Sequence, residues 1–251
     1  MAIDMEKIKS RKVELDTRGN GKNTFWRPSD GEQTIRIVPT ADGDPFKDFW
    51  FHYNLGENPG FLSPKKNFGD EDPLDGFVRK LFNEGTEDSI KMAKNLMARQ
   101  RFFAPVVVRG EEDAGVRVWG FGKMVYEQLL NLVLNPDYGD ITDPETGTDL
   151  VVHYGKPAGA SFPQTKITPR RRNSFLSETG TEEAAQWMEG VPDFDTLFER
   201  KSADDVGALL DAYLLDETSA EELSSEQRKF GITAAPPQTT SVDDAFSELL
   251  G

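Results

Sequence analysis

Two stretches of the 251-residue chain interleave cations with flat rings. In "MARQRFFAPVVVRG" (97–110), Arg99 and Arg101 flank Phe102 and Phe103. In "VRVWGFGK" (116–123), strand alternation puts Arg117, Trp119 and Phe121 on one face and Val116 and Val118 on the other, with Lys123 just beyond. One kind of chemistry suits such a set: cations displace the counterions condensed on phosphates, and rings offer π-faces to unpaired bases. "SFPQTKITPRRRNSF" (161–175) adds Phe162, Lys166 and the run Arg170, Arg171, Arg172, read as a loop at a barrel rim, guanidinium being the preferred phosphate ligand. The competing expectation for every ring is the core. In "FWFHY" (49–53), half of the side chains must be buried, because five consecutive aromatic or imidazole groups cannot all face water.

Other chemistries find less support. "FGDEDPLDGF" gathers Asp70, Glu71, Asp72 and Asp75, which suggests a divalent-metal site or nuclease carboxylates. There is no EF-hand spacing, and Asp72-Pro73 ahead of an apolar periodicity reads as a helix start with acids favourable to its dipole. No phosphate-binding G-x-x-x-x-G-K-[ST] occurs, and His52 and His153 both sit inside strand patterns. With no cysteine, disulfides and thiolate zinc sites are excluded. The net charge of −15 argues against a polyanion partner until it is located. Residues 1–180 hold 25 Lys+Arg against 27 Asp+Glu, and residues 181–251 hold 4 against 17, so the acidity is mostly C-terminal. The sequence contains no membrane span and no secretory h-region, and a cytosolic protein is expected.

Strands must position these residues. Five runs rich in β-branched and aromatic residues, "TIRIVP", "FKDFWFHYNL", "FFAPVVVRG", "VRVWGFG" and "DLVVHYG", alternate with turn signals. Helical spacing appears at Leu74, Phe77, Val78, Leu81 and Phe82, at Ile90, Ala93, Leu96 and Met97, and over 124–134. The expectation is a mainly β fold with added helices, its core a small closed barrel of the OB type. Four segments follow: a basic arm (1–22) with Lys7, Lys9, Arg11 and Lys12; the barrel core (23–180) with a helical insertion near 73–98; a helical extension (181–231), in which Ser202 and Asp205 signal a cap; and a linker with an acidic tail (232–251). In that tail Val242, Phe246, Leu249 and Leu250 form an apolar stripe beside Asp243 and Asp244, fit for a partner's groove.

Taken in order, "GEQTIRIVPT", "RQRFFAPVVV", "VRVWGFGKMVYEQLLNLV", the basic arm and the acidic tail resemble the single-stranded DNA-binding (helix-destabilising) protein family of T-even-type bacteriophages. The resemblance implies a non-enzymatic, sequence-tolerant coat for single strands in phage replication, recombination and repair, in the cytoplasm of the infected host. It implies an OB-fold cleft, an arm that contacts neighbouring copies of the chain, and a tail that recruits a polymerase, a helicase loader and a recombination mediator. Phe102, Phe103 and Trp119 match cleft aromatics, Phe162 another, and Arg99 and Arg101 an internal basic cluster. Family members hold zinc with one His and three Cys. Here His52 keeps a ligand position while Ser63, Asp72 and Asp75 stand near the others, a donor set without thiolates, so no zinc or other cofactor is expected. The rival readings are a metal-dependent nuclease built on Asp70, Asp72 and Asp75, and a virion or scaffold protein whose aromatics are all core.

Overall fold

The computed structural model describes residues 24–56 and 60–215, so the arm and the tail lie outside the described residues. Among the described residues there are eight strands: β1 (Phe25–Trp26), β2 (Gly31–Ile37), β3 (Lys47–His52), β4 (Phe61–Leu62), β5 (Arg99–Val108), β6 (Arg117–Phe121), β7 (Thr148–Gly155) and β8 (Gln164–Asn173). The helices are α1 (Pro64–Phe68), α2 (Pro73–Glu84), α3 (Glu87–Leu96), α4 (Lys123–Val133), α5 (Thr181–Glu189) and α6 over 203–215. About 35% helix against 26% strand makes the fold mixed α/β, not mainly β.

The sheet is mostly antiparallel and is not closed into a barrel, which corrects the expected OB-type closure. Its order is β1-β6-β5-β2-β7-β8, with the β3–β4 pair off this path. Closure fails for a visible reason. β1 is only two residues long, and the outer edge of β8 is engaged by a side chain: Gln128 on α4 accepts the N–H of Ile167 and donates to the Thr165 carbonyl.

The described residues divide into two compact units, 24–48 with 101–194, and 49–56 and 60–100 with 195–215. In the first, β5 is buried on both faces, hence its unbroken apolar run. Phe102, Ala104, Val106 and Val108 join Ile35, Ile37, Leu150 and Ile167 in a core that also contains Val125 and Leu129 of α4. Val107 enters a second core with Val38, Leu176 and Trp187.

In the other unit, α2 starts where the sequence signals it. Asp72 caps the helix by accepting the Asp75 N–H at 3.1 Å, Pro73 follows, and Gly85 ends the helix in the left-handed region. Leu74, Val78 and Leu81 bury one stripe against Ala93, Leu96, Val206 and Leu210. Phe82 and Met97, read as part of the apolar stripes, are instead exposed. Ser202 and Asp205 make the expected reciprocal cap at the start of α6.

Candidate nucleic-acid interface

The three adjacent arginines of 161–175 predict a loop at a barrel rim. They stand instead on a strand, β8, paired antiparallel with β7, Val152 opposite Ile167 and His153 opposite Lys166, and its position at the sheet edge is where a proline is tolerated. Ile167 points into the core, while Lys166, Thr168, Arg170 and Arg172 are exposed. The register continues this open face across the sheet through Thr34 and Val151 beside Thr168, and through Glu32 and His153 beside Lys166. His153 Nδ1 lies 3.1 Å from Glu32, and Arg170 donates to Thr34 Oγ1 at 3.3 Å.

The electrostatics of this segment oppose those of the chain. Between residues 156 and 175 stand Lys156, Lys166, Arg170, Arg171 and Arg172, with no Asp or Glu, in a protein of net charge −15. Two phenyl rings bracket the strand, Phe162 at 63% and Phe175 at 62% exposure. Phe175 ends the 161–175 stretch without being singled out by it, and stands out through its exposure.

Behind β8 lies a buried charge network. Arg109 donates to Asp149 at 2.8 Å and to the carbonyls of Phe175 and Leu176 at 2.8 and 2.9 Å. Arg36, fully buried, donates to the Asp143 carbonyl at 2.5 Å and to Ser174 Oγ at 3.4 Å, and comes within 3.8 Å of Asp149. Burial pulls the Arg36 pKa down to about 10, in spite of the charge on Asp149.

The other aromatic positions are elsewhere. Phe102, Phe103, Trp119 and Phe121 are all buried. Arg117, Trp119 and Phe121 do share a face, as alternation requires, but the rings of that face belong to the buried core that also holds Trp26 of β1 and Val125 and Leu129 of α4. Trp119 meets Trp26 edge to face at 5.7 Å and Phe121 at 4.6 Å, and Phe102 stacks on Tyr126 at 4.0 Å. These rings offer no free π-face to a base. Arg117 is buried beside Glu111 at 2.8 Å, Arg101 and Arg99 are half-buried, and Lys123 is exposed with Glu127 at 3.6 Å. The site thus gathers Phe162, Lys166, Arg170, Arg171 and Arg172 on one strand and its flanking loop, and leaves the β5 and β6 rings out.

Of the four residues that the resemblance would put at zinc-ligand positions, His52, Ser63 and Asp72 come together as a hydrogen-bonded node, and the Asp75 carboxylate pairs elsewhere. Asp72 Oδ2 accepts from Ser63 Oγ at 2.6 Å and lies 3.0 Å from His52 Nε2, while His52 Nδ1 lies 3.0 Å from the Leu96 carbonyl. Burial works to raise the Asp72 pKa, yet the bonds from His52 and Ser63 and the Asp75 N–H outweigh it and hold the carboxyl at about 2. With no thiolate, and with Asp72 already shared by two side chains, this donor set does not fit zinc. The three carboxylates of the nuclease reading are also engaged, Asp70 by Arg200 and Asp75 by Lys65 and Arg79. Among the described residues no cluster of His, Cys, Asp or Glu could hold a metal, and no helix is long and apolar enough to cross a membrane. A scan against protein-family models finds no match, and a search of curated proteins finds none either.

Proposed function

We propose that the chain binds single-stranded DNA along the outer face of β8, in the manner of the phage family it resembles, and performs no chemistry on it. One observation carries this reading: a twenty-residue stretch with five cations, no acid and two exposed rings, four of the cations on the edge strand β8, in an acidic protein. Alternate residues along the regular part of β8, up to Pro169, are about 6.6 Å apart at the usual rise per residue, and the register with β7 shifts where Arg170, Arg171 and Arg172 stand side by side. Lys166, Arg170, Arg171 and Arg172 neutralise phosphates, and Phe162 stacks an unpaired base. Duplex DNA hides its base faces and gains only the electrostatic part. In the same proposal Lys7, Lys9, Arg11 and Lys12 contact a neighbouring copy on the strand, and the Val242–Leu250 segment recruits replication and recombination proteins of the infected cell.

Fluorescence anisotropy with a labelled oligo-dT across salt tests the reading. Four phosphate contacts give a slope of log K against log salt of about −3, and replacing Arg170, Arg171 and Arg172 together by Ala reduces its magnitude by about 2. Equal affinity for duplex and single strand, or no binding at low salt, overturns it. Intrinsic tryptophan quenching is a weaker reporter, because three of the four tryptophans, Trp26, Trp119 and Trp187, are buried and the fourth, Trp50, is half-buried on β3.

A further inference from the structure

We propose that Phe175 is a second base-stacking platform, presented by a backbone that the buried Arg36–Asp149–Arg109 network holds in place; this inference rests on the single-strand reading above. Phe175 follows β8 by two residues, three residues after the last of the arginines. The chain around it is pinned at successive positions. Ser174 donates its N–H to the Gly147 carbonyl at 3.0 Å, the Phe175 carbonyl accepts from Arg109 at 2.8 Å, and Leu176 donates its N–H to the Pro144 carbonyl at 2.7 Å and accepts from Arg109 at 2.9 Å. The Leu176 side chain is fully buried. Of these three residues Phe175 is the exposed one, with Ser174 half-buried.

A surface loop needs no such anchoring to be stable, since its polar groups bond to water. Two arginines buried around one aspartate add little to stability, because the cost of desolvating the charges offsets their attraction. Burial lowers the Arg36 pKa, in line with that cost. What the network does supply is geometry, and a ring on a fixed backbone loses less conformational freedom when a base stacks on it. An apolar ring held rigid and left exposed at the end of a basic strand is suited to an unpaired base. Arg109 is then a positioning residue, with Phe175 the group that touches the strand.

The same anisotropy titration, on the full chain, decides the matter. Phe175→Ala weakens oligo-dT binding about 5- to 150-fold and leaves the salt slope unchanged, since it removes a ring and no cation. Phe175→Trp keeps the affinity and Phe175→Leu does not, because Leu supplies apolar area without a π-face. Arg109→Gln weakens binding, and combining it with Phe175→Ala costs no more than the worse of the two; a general loss of stability would add instead. Wild-type affinity in Phe175→Ala or in Phe175→Leu, while the triple arginine variant still binds weakly, overturns the inference and leaves the single-strand reading standing. Additive losses for Arg109→Gln overturn the positioning role. A wild-type chain that fails to bind oligo-dT at low salt overturns both.

Discussion

Gln128 Oε1 accepts the backbone N–H of Ile167 at 2.9 Å, so a helix side chain occupies a hydrogen-bonding position that another strand would take. Its Nε2 satisfies the Thr165 carbonyl at 3.3 Å. Gln128→Ala leaves both backbone groups at the open edge of β8. The expected outcome is a loss of about 1–2 kcal/mol in urea denaturation, faster amide exchange at Ile167, and concentration-dependent association in light scattering. Unaltered exchange at Ile167 counts against the edge-guarding role.

Gly147 leaves no room for a side chain. A Cβ there would lie 2.2 Å from Arg36 Nη2 and 2.6 Å from the Asp143 carbonyl. Gly147→Ala therefore displaces the Arg36 guanidinium or the 143–147 turn, at a cost of about 1–3 kcal/mol by thermal denaturation. Because Ser174 bonds to Gly147, oligo-dT affinity should fall together with stability. An alanine variant as stable as wild type would show that the turn yields freely.

Trp119→Ala tests the division between core rings and surface rings. Trp119 is buried against Trp26 and Phe121, so truncation leaves a cavity and costs about 3–5 kcal/mol. Chemical denaturation reads the loss. At a temperature where the variant remains folded, its affinity for oligo-dT should equal that of wild type, whereas a binding defect without a stability defect would place Trp119 in the interface.

The Ser63–Asp72–His52 node carries a pH signature. The Asp72 carboxyl is held at about 2 against an ordinary 3.8, so the charged form is favoured in the folded protein. Its contribution, on the order of 2 kcal/mol, is fully present above the ordinary value and is lost as pH falls from about 4 to about 2. Asp72→Asn should be less stable than wild type at neutral pH, with the gap closing over that acidic window; a gap independent of pH refutes the assignment. Dialysis against a chelator should leave the wild-type melting midpoint unchanged, and about one bound zinc per chain would refute the hydrogen-bonded account.

Secondary structure was more legible than the site. The β-branched and aromatic runs correspond to β2, β3, β5, β6 and β7, and the caps at Asp72 and Ser202 mark real helix starts, because these signals are local. β8 was hidden by Pro169, which suits an edge strand but reads as a breaker when the pairing partner is unknown. Gln128 bonds to the edge strand 37 residues away, and no periodicity encodes that. Alternation put Arg117, Trp119 and Phe121 on one face but could not say that the rings of that face would belong to the buried core. Burial is decided by what packs on a face, and that is settled far along the chain. The cations of β8 were visible as residues, while the ring of Phe175 gained its interest only from the atoms fixing its backbone.

A basic strand on an acidic molecule also shapes the approach of a polyanion. With a net charge of −15, the protein as a whole repels a nucleic-acid strand at distances up to the screening length, and the acid-free segment around β8 attracts it only at short range. At about 10 mM salt the screening length is about 30 Å and the repulsion dominates the encounter; at about 0.15 M it is about 8 Å, and the strand can come near enough to meet the local field. The association rate should therefore rise with salt before it falls, while the lifetime of the bound state shortens throughout.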